Sequence, residues 1–210
     1  MARALHIQAS PRGAESFSSR VAEGFLQAYL RSHPGAKVEK LDVFGDELPV
    51  FEAPAAEAKY SLLAGEKPTG HAARAWKRVI AVVDQLKAAD LVLIPAPMWN
   101  FAIPYPLKQW VDVIVQPALT FSYSPEEGYK GLITGKPAVL ILARGGDYSP
   151  GSGYEAHDMQ QPYLEFILGF IGFTDIRTIT VQPTLQAGPE IGRQKLDQAI
   201  AEAIELAGRL

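Results

Sequence analysis

The sequence predicts an α/β fold, a single doubly wound parallel sheet of five strands with helices on both faces. Three observations carry that expectation. Strand-like and helix-like segments alternate along the whole chain, with no internal repeat and no linker. Two runs, LVLI at 91–94 and PAVLILA at 137–143, are apolar almost throughout, as in strands buried on both faces. The 210 residues, 48% hydrophobic and 20% charged, suffice for one domain spanning 1–210 with a substantial core.

Taken in order, the first strand is read at 4–7, followed by a loop, SPRG, at 10–13. Residues 16–31 set Val21, Phe25, Leu26, Tyr29 and Leu30 at helical spacing, and Pro34-Gly35 stops that helix. A second strand at 38–43 mixes apolar with charged residues, which suits a place nearer the sheet edge. Residues 44–69, rich in Pro, Ala and Glu, read as a loop with a short helix, and 70–89 as a helix. The third strand is 91–94. In the helix at 106–115, Leu107, Trp110, Val111 and Ile114 share a face, and Pro106 sits in the first turn, where a missing N–H costs little. Residues 120–136 read as a Gly- and Tyr-bearing loop and 137–143 as the fourth strand. An apolar helix at 162–171, a fifth strand at 176–181 and a helix at 189–207, stopped by Gly208, complete the chain.

Composition narrows the function. The net charge is −3 and the basic residues are scattered, so neither nucleic acid nor an anionic membrane surface is an expected partner. No apolar run approaches the roughly 18 residues of a membrane span. The start, MARALHIQAS, enters a strand directly and lacks the shape of a signal peptide, so a cytoplasmic enzyme is expected. Cysteine is absent, which removes thiol nucleophiles, disulfides and Cys-ligated metals together. The four histidines, His6, His33, His71 and His157, form no HxH or HxxxH spacing, so no metal centre is expected. Redox chemistry would therefore need an organic cofactor.

Ligands on such sheets bind beyond the carboxyl ends of the strands, so the loops after strands one, three and four carry the most information. The first, ASPRGAESFSS at 9–19, has neither G-x-G-x-x-G nor G-K-[ST]. It offers Ser10, Ser16 and Ser18, one arginine and a helix N-terminus, which together fit a phosphate. Ser16 as a simple helix cap, with the other serines solvated, is the alternative. The second loop sets Met98-Trp99-Asn100-Phe101 between Pro97 and Pro104. Those residues give a flat apolar wall with hydrogen-bonding edges, as a flavin ring needs; core packing is the competing reading. The third, Ala143-Arg144-Gly145-Gly146, lets backbone approach a planar ligand and allows φ > 0, or is only a tight turn.

These residues resemble the FMN-dependent NAD(P)H azoreductase and quinone reductase family of flavodoxin-like proteins. The resemblance rests on SPRxxxSxS at 10–18, PMWNFxIPxxLKxWxD at 97–112, TFxYxxxxGYxGLxxGK at 120–136, RGGxY at 144–148 and PYLxFxLGFIGFTD at 162–175. It implies strand order 2-1-3-4-5, one FMN per subunit and a homodimer. Ser10, Ser16, Phe17 and Ser18 would hold the phosphate. Met98, Trp99, Asn100 and Phe101 would face the isoalloxazine ring, with Ala143, Arg144, Gly145 and Gly146 around its other polar edge. Trp99 stands where many members have Tyr, and Ala143 where others have Ser.

The implied activity is ping-pong hydride transfer from NADH or NADPH, through the flavin, to quinone, azo or nitroaromatic compounds, with azo bonds cleaved to amines. No catalytic side chain is then required, because the cofactor carries the chemistry. Backbone N–H groups of Phe101 and Gly146 are candidates for stabilising charge on the ring. Phe121 and Tyr123 are candidate substrate walls, or loop packing. The helix at 162–171 is too apolar all round for one exposed face, which a dimer or full burial would explain. A flavodoxin-type electron carrier is the alternative class, but would be more acidic than −3.

Overall fold

The computed structural model describes residues 2–45 and 48–210. Five parallel strands form the sheet in the order β2-β1-β3-β6-β7. These are β1 (Arg3–Gln8), β2 (Lys37–Asp42), β3 (Leu91–Pro97), β6 (Pro137–Ala143) and β7 (Asp175–Val181). Counted among the sheet strands alone, this is the 2-1-3-4-5 order that the resemblance implies. The helices are α1 (Phe17–Ser32), α2 (Ala53–Leu63), α3 (Gly70–Ala88), α4 (Tyr105–Ile114), α5 (Gln161–Ile171) and α6 (Gly188–Ala207). The segment read as loop with a short helix contains α2; its residues 46 and 47 lie outside the described residues.

Period-two alternation in the strands assigns the two faces. Leu5, Ile7, Val92, Ile94, Leu140 and Leu142 pack toward α3, α4 and α5, where Val79, Val83, Leu107, Trp110, Leu164 and Leu168 meet them. Leu91, Leu93, Val139, Ile141, Ile179 and Val181 point the other way, to Val21 and Phe25 of α1 and Leu196 and Ala203 of α6. Gly24 lets α1 and α6 close on each other: a Cβ there would stand 3.2 Å from Ile200 Cγ2.

One expectation needs correction. Residues 120–136 are not only loop: β4 (Phe121–Ser124) and β5 (Gly128–Gly131) pair antiparallel as a separate hairpin. Three residues join the strands, and Gly128 takes φ +70 at the end of the turn. Glycines at both ends of GYKG conceal its strand character, since glycine has low strand propensity. The hairpin is fixed to the end of α5, where a Cβ on Gly131 would lie 2.3 Å from the amide nitrogen of Gly172. The Phe121 ring lies 5.0 Å from that of Phe170 of α5, tilted at 54°. Leu164, Leu168 and Ile171 bury one side of α5, while Phe166 on the other remains 69% exposed, so full burial does not account for its apolar outer face.

Candidate active site

Beyond Gln8 the chain stays beside β3, with Ala9 N donating to Pro95 O at 3.3 Å. It then makes a 3-10 turn at Gly13–Glu15, which Gly13 enters at φ +51. Ser16 caps α1 in an extended conformation, but its Oγ accepts from Ser19 N only at 3.5 Å, the long limit of a hydrogen bond. The same Oγ lies 3.1 Å from Ser18 Oγ. Ser10, Ser16 and Ser18 are all buried. The first-turn amides of Phe17 and Ser18 have no acceptor within the helix, and no acidic side chain occupies that turn. Buried hydroxyls and open amides at the positive end of a 16-residue helix suit a phosphate monoester.

The second loop is a two-residue hairpin turn. Trp99 N donates to Ala102 O at 2.9 Å and Ala102 N to Trp99 O at 3.0 Å. Both central residues have positive φ, Asn100 at +48 and Phe101 at +70, the pattern that Asn-Gly ordinarily fills. Asn tolerates it; Phe in that region costs about 1–2 kcal/mol. The strain is held from outside, by Met159 N donating to Phe101 O at 2.9 Å. Among the described residues, neither central amide of the turn, Asn100 or Phe101, has a hydrogen-bond acceptor. Met98 N donates to Ala143 O at 2.8 Å, joining this loop to the third.

In the third loop neither Gly145 nor Gly146 has positive φ, so conformational freedom is not their use. A Cβ on Gly145 would stand 3.3 Å from Leu185 Cδ1, a tight fit, while one on Gly146 would lie at ordinary contact, 3.4 Å from Gln186 Oε1. The Arg144 side chain is 2% exposed and turns into the protein. Its Nη2 meets Asp158 Oδ2 at 2.8 Å, and the guanidinium also donates to Gln160, Gln161 and Gln182. Burial lowers its pKa from the ordinary value, with Asp158 acting in the opposite direction.

The three loops converge on a crevice of about 220 Å³, lined by Ser10, Ser16, Phe17, Met98, Trp99 and Gly145 among others. Trp99 also borders a second, more apolar groove of about 640 Å³ with Asn100, Tyr105, Met159 and Tyr163. A crevice carrying the hydroxyls of Ser10 and Ser16 beside the N-terminus of α1 thus adjoins a wall of aromatics. The arrangement accepts a flat ring system with polar edges and a phosphate tail.

A family profile described as flavodoxin-like fold matches residues 2–207. An FMN-dependent NADH:quinone oxidoreductase of Nitratidesulfovibrio vulgaris is 47% identical over 207 residues, 99% of both chains. One from Desulfotalea psychrophila is 45% identical over 210 residues, covering 100% of this chain and 98% of its own. The chain belongs to the flavodoxin-like family of FMN-dependent NADH:quinone oxidoreductases. Among solved structures, an azoreductase from Bacillus anthracis has a TM-score of 0.91 at 30% identity, covering 100% of both chains. An FMN-dependent NADH-azoreductase of the same species, in complex with FMN, has a TM-score of 0.89 at 27% identity, over 100% of this chain and 99% of that one.

Within this oxidoreductase scaffold, Ser10, Ser16, Phe17, Met98, Trp99, Ala143 and Gly145 line one crevice. Ser18 lies just beneath, Asn100 opens toward the adjoining groove, and Gly146 follows at the edge of the turn. Phe101 stands at the rim, 51% exposed, with Tyr148 and His157 beside its ring. Phe121 and Tyr123 are not brought to these loops; they belong to the hairpin on α5, clustered with Tyr129. Thr184 and Leu185, after β7, also line the crevice and escaped sequence reading. The strand-end rule that picked out the other loops applied equally to PTLQAG, but its residues carry no phosphate or ring signature.

Proposed function

We propose that this chain is a cytoplasmic, homodimeric FMN-dependent NAD(P)H oxidoreductase that reduces quinones by two electrons and cleaves azo compounds to amines. One FMN-binding domain spans 1–210. The reading rests above all on one crevice where Ser10 and Ser16, Met98 and Trp99 at the start of the positive-φ turn, and Ala143 and Gly145 meet. The 47% identity to an FMN-dependent NADH:quinone oxidoreductase across nearly all of both chains supports it.

The residues present fit FMN. Ser10, Ser16 and Ser18, with the amides of Phe17 and Ser18, would bind its phosphate; the hydroxyl cluster is only loosely committed to capping. Met98 and Trp99 would supply the apolar wall, and Asn100, Phe101, Gly145 and Gly146 the hydrogen-bond donors along the ring's polar edges. FMN held there would supply a two-electron carrier between the nicotinamide and the acceptor. The chain's contribution is orientation and charge stabilisation: amides fixed in place before the ring arrives need no reorganisation as negative charge grows. Trp99, Tyr105 and Tyr163 give flat, electron-poor acceptors such as quinones, azo compounds and nitroaromatics an apolar surface on which to lie.

Donor and acceptor would use this one surface in turn, so double-reciprocal plots should be parallel, with intersecting lines as the contrary result. Arg144 would serve through its backbone, because its side chain is committed elsewhere. Phe121 and Tyr123 can act as substrate walls only if a second copy carries them to a crevice. The exposed outer face of α5, with Phe166, is the surface a second copy would cover. Gel filtration at micromolar concentration should show a dimer; a monomer alone would remove the shared-wall role.

A further inference from the structure

The loops that follow β3, β6 and β7 are tied to one buried charge. Arg144 leaves β6 with its backbone still in the ladder, its amide donating to Val181 O at 2.9 Å. Its Nη1 donates to Gln182 Oε1 at 3.2 Å, and that same oxygen accepts from Tyr148 N at 3.2 Å, fixing the segment after Gly146. Its Nε donates to Gln160 Oε1 at 3.2 Å, while Gln160 Nε2 donates to Ala96 O at 3.3 Å, near the end of β3. On the far side of the guanidinium, Asp158 is held twice. Its Oδ2 meets Arg144, and its Oδ1 accepts from the amides of Gln160 at 2.9 Å and Gln161 at 3.1 Å.

Between Asp158 and Gln160 stands Met159, whose amide donates to the carbonyl of the strained Phe101. Phe101 does not favour φ +70, so its turn keeps that shape only while neighbours hold it. Buried ion pairs are weak sources of stability and persist where they specify geometry. We propose that the Arg144–Asp158 pair is a clamp that presets the Asn100–Phe101 turn through Met159, making Arg144, Asp158 and Met159 positioning residues for the bound flavin. The proposal rests on the FMN reading above. In its terms Arg144 acts on the cofactor through other groups.

Two substitutions separate the parts of the clamp. Asp158→Asn keeps an oxygen for the two amides but removes the charge facing Arg144. Met159→Pro leaves Arg144 and Asp158 unchanged and deletes the N–H that reaches Phe101, and Met159→Ala, which keeps that N–H, accounts for the loss of the Met159 side chain from the groove. FMN dissociation constants, from quenching of flavin fluorescence on binding, and amide hydrogen exchange of residues 98–102 in the FMN-free full chain give two independent readouts. Asp158→Asn and Met159→Pro should both bind FMN at least about tenfold more weakly and exchange the turn amides faster, as expected for a site loosened by a fraction of an ångström. Placing Phe101→Gly beneath Asp158→Asn should shrink the loss to under about threefold, because glycine takes positive φ unaided. Affinity and exchange unchanged in Met159→Pro, or an equal loss from Asp158→Asn with either residue at 101, would overturn the clamp. If Asp158→Asn fails to fold, Met159→Pro decides alone. A wild-type chain that takes up no FMN would instead defeat the functional reading, while exchange in the FMN-free chain still tests the clamp.

Discussion

Phe101 sits at φ +70 with half its surface exposed, a conformation and a location that stability alone does not select. Phe101→Gly should therefore raise the unfolding free energy of the FMN-free chain by about 1 kcal/mol in urea denaturation, while weakening FMN retention. Asn100 can be divided the same way. Asn100→Gly keeps the turn and removes the side-chain amide, whereas Asn100→Ala leaves a Cβ at positive φ without the polar side chain that lets Asn tolerate it; both should lose FMN affinity, Ala more than Gly. His6 makes a different prediction. Its Nε2 is buried without a partner, and burial, with Lys40 adding and Asp42 opposing, pushes its pKa down to about 4 from 6.5. The unfolded chain then binds a proton below pH 6.5 that the folded chain refuses until about pH 4. Stability from this residue is complete above pH 6.5 and falls by about 3 kcal/mol on acidification to pH 4. Chemical denaturation at several pH values should show that loss in the wild type and much less of it in His6→Gln.

At the scale of elements, the N-terminus of α1 is assigned to phosphate and the C-terminus of α3 is closed by a cation. Ser18→Ala should weaken FMN binding severalfold and leave riboflavin, which lacks the phosphate, almost unaffected; equal losses for both ligands would move the serine cluster away from the phosphate. Lys136 Nζ donates to Leu86 O at 3.1 Å, Lys87 O at 2.7 Å and Ala89 O, satisfying carbonyls that the end of α3 leaves open. Lys136→Met should destabilise the chain by about 2 kcal/mol without changing FMN affinity, as a melting curve and a binding titration would show. The sheet strands and long helices were legible because burial imposes a period on them, as in Leu91–Ile94 or along α1. The β4–β5 hairpin was not, because GYKG becomes a strand only by pairing with Phe121–Ser124 and fitting against Gly172. Asn100 faces the neighbouring groove, whereas Ser10, Ser16, Met98 and Trp99 of the crevice lining were legible in the sequence. The buried Arg144 was not: an arginine beside two glycines reads as a ligand contact, and only packing shows Asp158 and three glutamines enclosing it.

For the whole molecule, the strand order places the ends of β1, β3 and β6 side by side, and there the sequence concentrates its serines, aromatics and glycines. No helix among the described residues is long and apolar enough to cross a membrane. On the proposed function, the aromatic groove beside the crevice would receive a flat acceptor and the exposed face of α5 a second copy. The central claim is that this architecture binds FMN and lets NADH reach it. Anaerobic titration of the FMN-loaded protein with NADH, followed in the visible spectrum, tests that claim most directly. The expected result is stoichiometric bleaching of the flavin band, one NADH per chain, and recovery on adding a quinone. A bound flavin whose spectrum NADH leaves unchanged would contradict it.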